Sequence, residues 1–157
     1  MEIGSVTNRR RAVFDTNVFV SAALSKSLTS PTRELLARWE QDEFTLLTCE
    51  PLAAELIEKL LDHQIEPDLI ARLVASLRLL AEWVIVPASS IIPMLVDPDD
   101  DIVLACAALG KADFIVTYDP HFDLLGGRYG DVKIVKALPF LWQVRGDQPP
   151  STPDAPT

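Results

Sequence analysis

Residues 95–117 read LVDPDDDIVLACAALGKADFIVT: four carboxylates within five residues, an apolar run, and then a short β-prone segment. The apolar run ending near Gly110 predicts a helix, and Phe114 to Thr117 predicts a buried strand directly after it. An acidic residue ahead of a first helical turn accepts hydrogen bonds from free backbone amides and complements the helix dipole. One carboxylate suffices for that, and four repel each other. Capping and solvation explain part of the cluster and leave a remainder.

The same alternation of helix and strand runs through the chain. Residues 12–16 (AVFDT) read as a strand, followed by a helical stretch to about Leu28. Ser30-Pro31-Thr32 opens a second helix with Leu35, Leu36 and Trp39 on its apolar stripe, and Phe44 to Leu47 is a second strand. Residues 50–62 and about 67–81 carry Leu and Ile at helical spacing, Trp83 to Val86 reads as a strand, and so does Val132 to Val135. Leu138 to Val144 closes with a short helix. Short apolar strands alternating with helices predict a three-layer α/β/α fold around a short, mainly parallel central sheet of about five strands.

At 157 residues, with 48% hydrophobic and 24% charged side chains, the chain can bury a core as one domain without disulfide help. The ordered domain is expected over 11–145, after a flexible basic segment 1–10 and before a disordered tail 146–157 that carries four prolines. Arg9-Arg10-Arg11 ahead of AVFDTNVFVSAAL mimics an export signal, but Asp15 and Asn17 interrupt the apolar run. No stretch approaches membrane-spanning length. Cys49 and Cys106 lack ligand spacing and read as reduced, buried thiols, so a cytoplasmic protein is expected. The net charge of −9 argues against passive nucleic-acid binding, because phosphate contacts need Lys and Arg.

Asp15 ends the first strand, Asp119 follows the fourth in IVTYDP, and Asp100 and Asp101 sit where a helix begins. In parallel α/β sheets, functional groups gather at the carboxyl ends of strands and at adjoining helix N-termini. Each residue also has a local reading: Asp15, Thr16 or Asn17 as a helix cap, Asp119-Pro120 as a turn. Taken together, carboxylates at close range need a positive partner. All-oxygen ligation suits Mg²⁺ or Mn²⁺ rather than zinc, for which the chain has no Cys/His set. Such an ion activates water and neutralises charge at a phosphoryl centre, which also answers the net-charge objection. Glycosidase-type catalysis fits less well, with no aromatic platform for a sugar.

These residues carry a resemblance. The segments VFDTNVFVSA, the AAEL of LTCEPLAAELIEKL, DPDDDIVLACAALGKADFIVTYD and KIVKALPFL, in this order, resemble PIN-domain ribonucleases, particularly toxins of VapBC-like type II toxin–antitoxin pairs. The likeness runs from about Arg11 to Leu141. It implies that Asp15, Glu55, Asp100 and Asp119 are the four metal-site acids, with Asp101 competing for the third place. Thr16 and Asn17 match the family's polar pair beside the first acid, and Thr117 matches its hydroxyl residue two before the last. Cys49 stands where many relatives carry serine. On the residues alone, Glu55 reads as a solvated helix face with Glu58, Lys59 and Asp62, and Glu58 is its alternative. His121 reads as a loop residue that could touch substrate, and the three tryptophans as core or interface residues. Arg9 to Arg11 read as a basic arm or a phosphate contact.

The resemblance implies an Mg²⁺/Mn²⁺-dependent endoribonuclease that cleaves RNA to 5′-phosphate and 3′-hydroxyl ends and is inhibited by a cognate antitoxin. A homodimer is expected through the apolar helices 31–39 and 67–81, which can equally serve as a partner groove. The competing class is a non-catalytic PIN module that binds RNA or a partner protein. A phosphotransfer receiver is disfavoured, since Phe14-Asp15-Thr16 lacks paired acids and Thr117-Tyr118-Asp119 lacks the late lysine.

Overall fold

A sheet buried on both faces must send alternate residues of its strands into two separate apolar layers. The computed structural model, which describes residues 9–147, has this arrangement. In chain order it runs β1 (Arg11–Phe14), α1 (Thr16–Leu24), α2 (Pro31–Glu40), β2 (Thr45–Thr48), α3 (Glu50–Asp62) and α4 (Pro67–Leu80). Then follow β3 (Glu82–Trp83), α5 (Pro98–Leu109), β4 (Phe114–Val116), β5 (Arg128–Tyr129), β6 (Val132–Val135) and α6 (Ala137–Arg145). Short 3₁₀ turns occupy Ala88–Ser90 and Pro120–Leu125.

Ala12 and Phe14 of β1, Leu46 of β2, and Phe114 and Val116 of β4 face one cluster, with Phe19, Leu35, Trp39, Leu60 and Phe140 from the helices. Val13, Leu47 and Ile115 face the other, against Val103, Leu104 and Cys106 of α5. Phe14, Phe44, Phe114 and Phe140 meet with ring centroids 5.1–5.9 Å apart, tilted or edge-on. Each such pair adds about 1 kcal/mol beyond its buried area. The result is a three-layer α/β/α fold.

The strand order is β3-β2-β1-β4-β6-β5. All neighbours pair in parallel except β5 with β6. From β1 the chain winds outward through β2 to β3, then returns to place β4 on the other side of β1. The order therefore reverses between β1 and β4, and such a reversal opens a crevice at the strands' carboxyl ends.

Three local expectations are corrected. The first helix stops at Leu24 rather than about Leu28, because Ser25, Ser27 and Thr29 hydrogen-bond among themselves and offer the backbone an alternative to helix. Of the strand expected over 83–86 only Trp83 joins the sheet, together with Glu82 before it. Val84 N donates to Thr48 O at 2.8 Å, β2 ends there, and Ile85 lies exposed with no partner strand to extend along. The sheet gains a sixth, antiparallel strand, β5, joined to β6 by Gly130-Asp131 with Gly130 at φ +61°. A Gly-led two-residue link is a hairpin signal.

The basic residues that begin β1 sit at the sheet edge opposite the crevice. Arg11 holds Glu82 through both carboxylate oxygens (2.7 and 2.9 Å) and donates to Gly110 O at 2.7 Å. Arg9 pairs with Asp42 and donates to Thr45 Oγ1. Neither is a phosphate contact at the site. The flexible segment expected over 1–10 and the Pro-rich tail over 146–157 lie mostly outside the described residues. No helix among the described residues is long and apolar enough to cross a membrane.

Candidate metal centre

β1 and β4 are parallel neighbours, so whatever follows each of them emerges at the same edge. Asp15 follows β1 and is 5% exposed, and its backbone N–H donates to Val116 O at 2.9 Å. Thr117 follows β4. Its hydroxyl donates to Asp15 Oδ2 at 2.7 Å and accepts from the Asp119 N–H at 3.0 Å, tying the first and fourth acids together. Asn17, one residue into α1, donates to Asp15 Oδ2 at 3.4 Å and accepts from the Tyr118 N–H at 3.2 Å. The buried Thr16 N–H donates to Asp15 Oδ1 at 2.8 Å. Asp15 is thus both the cap of α1 and a group held in place from two strands. The two readings of it do not exclude each other.

The four aspartates of the opening stretch divide their roles. Asp97 caps α5, accepting from the Asp99 N–H at 2.9 Å. Asp101 turns back from the site: its Oδ1 accepts from the Met94 and Leu95 N–H groups at 3.1 and 2.9 Å, and so pins the loop before the helix. Asp100, 4% exposed, faces the crevice, where Oδ2 lies 3.1 Å from His121 Nδ1. Asp99 acts on Glu55, as below. Successive residues of a helix point about 100° apart, which is why Asp100 and Asp101 serve different ends.

His121 lies in the turn after Asp119, with Nδ1 3.4 Å from Asp119 Oδ1. One donor atom each from Asp100, Asp119 and His121 falls within 4.8 Å of the others. His121 is a turn residue, as read from the sequence, and the fold adds these two acidic neighbours to it. The signal available was its position two residues after Asp119, in a turn where its own N–H folds back on that carboxylate.

The electrostatics are those of crowded acids. Burial first, and then the negative charges of Asp119 and Asp97, raise the Asp15 pKa against the hydrogen bonds from Thr117 and Thr16. Burial likewise pushes Asp100 up to about 6, opposed by its bond to His121 and helped by Asp119 and Asp15. Half-buried Glu55 on α3 is pushed up to about 8, by burial first and then by Asp99 and Asp15, with Lys59 opposing. Glu55 therefore feels the crevice, whereas Glu58 is exposed. His121 is raised by its bond to Asp100 and by the charge of Asp119. Cys49 precedes α3 without a side-chain capping bond and lies buried beside Cys106 in the second core cluster.

The chain from 11 to 121, which holds every residue of this edge, matches the family model described as PIN domain. The chain belongs to the PIN domain family. No curated protein matches it. PIN domains are generally metal-dependent nucleases, and the donor chemistry here fits a divalent ion. The carboxylates at this edge are buried or half-buried, and the charges of Asp119 and Asp97 that raise Asp15 are negative. Like charges so placed cost stability until a cation lies among them. Asp100, Asp119 and His121 offer the donors that would hold it.

Proposed function

We propose that this PIN domain is an Mg²⁺- or Mn²⁺-dependent endoribonuclease. The observation that supports it most directly is the convergence of Asp15, Asp100 and Asp119 at the crevice between β1 and β4, linked through Thr117 and His121. Asp15, Asp100 and Asp119 hold the ion, with Glu55 at its rim, directly or through water. When bound, the ion supplies an activated water and neutralises charge at the phosphodiester. Thr117, Asn17 and Thr16 keep the Asp15 oxygens aimed by fixed hydrogen bonds. Lys136 and Tyr118 line a small cleft of about 210 Å³ beside Asp119, where an RNA phosphate meets a positive charge in an otherwise acidic region. Cleavage leaves 5′-phosphate and 3′-hydroxyl ends. Incubating single-stranded RNA with Mg²⁺ or Mn²⁺ tests the reading: Asp15→Asn should abolish cleavage, and undiminished cleavage by that variant would sink it.

The biological role we assign is the cytoplasmic toxin of a type II pair, acting as a homodimer and held in check by an antitoxin. A groove of about 730 Å³ between α1, α2, α3 and α4 supports this, with Phe19, Leu36, Leu60, Ile70 and Leu73 along it. Trp39 is buried in the core and takes no part. An apolar antitoxin segment fits such a groove. Co-expression with the product of a small neighbouring gene should suppress both toxicity and RNA cleavage. Light scattering should give twice the monomer mass.

A further inference from the structure

An all-oxygen site would be completed by carboxylates and water, yet a ring nitrogen stands among these acids. His121 is fixed there by its own backbone, whose N–H donates to Asp119 Oδ1 at 2.9 Å, and by its neighbour Phe122, buried in the core beneath α5. Its Nδ1 lies 3.1 Å from Asp100 Oδ2 and 3.4 Å from Asp119 Oδ1. Adjacent ligands of an octahedral ion with bonds of about 2.1 Å are about 3 Å apart. The gaps around His121 therefore have the size of an octahedron's edge, and α5 and the turn after β4 supply the three donors from independent segments.

We propose that His121 ligates the ion directly through Nδ1, beside Asp100 and Asp119, and that this nitrogen makes the site select Mn²⁺ over Mg²⁺. The proposal rests on the reading of this edge as the metal site and adds the ion's identity to it. Mg²⁺ is hard and keeps oxygen ligands and water, whereas imidazole suits first-row transition ions. Mn²⁺ shares the carboxylate preference of Mg²⁺, and as a first-row transition ion it accepts an imidazole nitrogen more readily than Mg²⁺ does. Ligation through Nδ1 leaves the ring proton on Nε2.

The chain contains two histidines, which makes the assignment testable by spectroscopy. His63 follows α3 eight residues beyond Glu55, roughly 12 Å along the helix axis. Tag-free full-length protein loaded with Mn²⁺ should show, in pulsed electron paramagnetic resonance, the ¹⁴N modulation of a directly bound imidazole. His121→Ala should lose that modulation and His63→Ala should keep it. By calorimetry, His121→Ala should weaken Mn²⁺ by more than about a hundredfold, beyond the roughly 10–100-fold that losing an outer partner of a ligand costs. Mg²⁺ binding should move by less than about threefold. The His121 side chain is 43% exposed, so the variant is expected to fold, and the wild-type spectrum decides the point without it. Bound Mn²⁺ without nitrogen modulation would overturn the ligand role and leave the metal site standing. Equal weakening of both ions would overturn the selectivity. Failure of the wild type to bind Mn²⁺ would overturn this proposal together with the metal reading beneath it.

Discussion

Replacing Asp100 by Asn separates a site acid from a helix cap. Asp97 already caps α5, so Asp100 at the third helical position contributes to the helix mainly through the dipole, about 0.5 kcal/mol. Against that stands the cost of its charge. The folded protein raises its pKa from 3.8 to about 6, a gap worth about 3 kcal/mol. The sign follows from proton binding: between these values the folded state holds more protons, so stability falls as pH rises and the full penalty applies above about 6. The cost of burying this charge, with the repulsion from Asp119 and Asp15 behind it, exceeds the dipole contribution, and metal-free Asp100→Asn should be more stable than wild type at pH 7.5 by about 2 kcal/mol. For a chain of this size that is a melting-temperature rise of about 4–8 °C. Added Mg²⁺ should reverse the order, because wild type gains about 1.4 kcal/mol per tenfold excess over its dissociation constant. Asp100→Asn should gain distinctly less and should not cleave RNA. Thermal melts with EDTA and with millimolar Mg²⁺ read all of this. A metal-free variant that melts below wild type would refute the account of buried, crowded acids.

Asp101→Ala should do the reverse of Asp100→Asn. It strips the Met94 and Leu95 N–H groups of their acceptor and should cost about 2 kcal/mol in melts, with Mn²⁺ affinity by calorimetry close to wild type. Metal binding should release protons at pH 7, since Glu55 titrates near 8 and must ionise beside a cation. Calorimetry in buffers of differing ionisation heat should show that release fading above about pH 8, with affinity rising between 6 and 8. Thr117→Val keeps the shape but removes the hydroxyl shared by Asp15 and Asp119. It should lower stability by about 1–2 kcal/mol and raise the Asp15 pKa further, visible as a carboxyl carbon shift in an NMR titration.

The alternating architecture was legible because its causes are local. Apolar strands such as AVF and FIV, the Ser30-Pro31 helix start and the Asp97-Pro98 start each act over a few residues. Asp15 and Asp119 could be placed at one edge without coordinates, because residues that follow parallel strands must emerge together. What stayed open depended on how elements sit against each other. Whether Asp100 or Asp101 meets the acids turns on the rotation of α5 about its own axis, set by Val103, Leu104 and Cys106 packing on the sheet. Glu55 looked like one charge among several on a solvated helix face, and only the approach of α3 to α5 gives it Asp99 and Asp15 as neighbours. β3 stopped short because β2 offered it no further partner, and β5 formed because β6 did, which no propensity of WVIV or RY encodes. His121 is the clearest case. Its ring is an ordinary turn residue until Asp100, 21 positions earlier, is carried to within 3.1 Å of it by a helix packed across the strand between them.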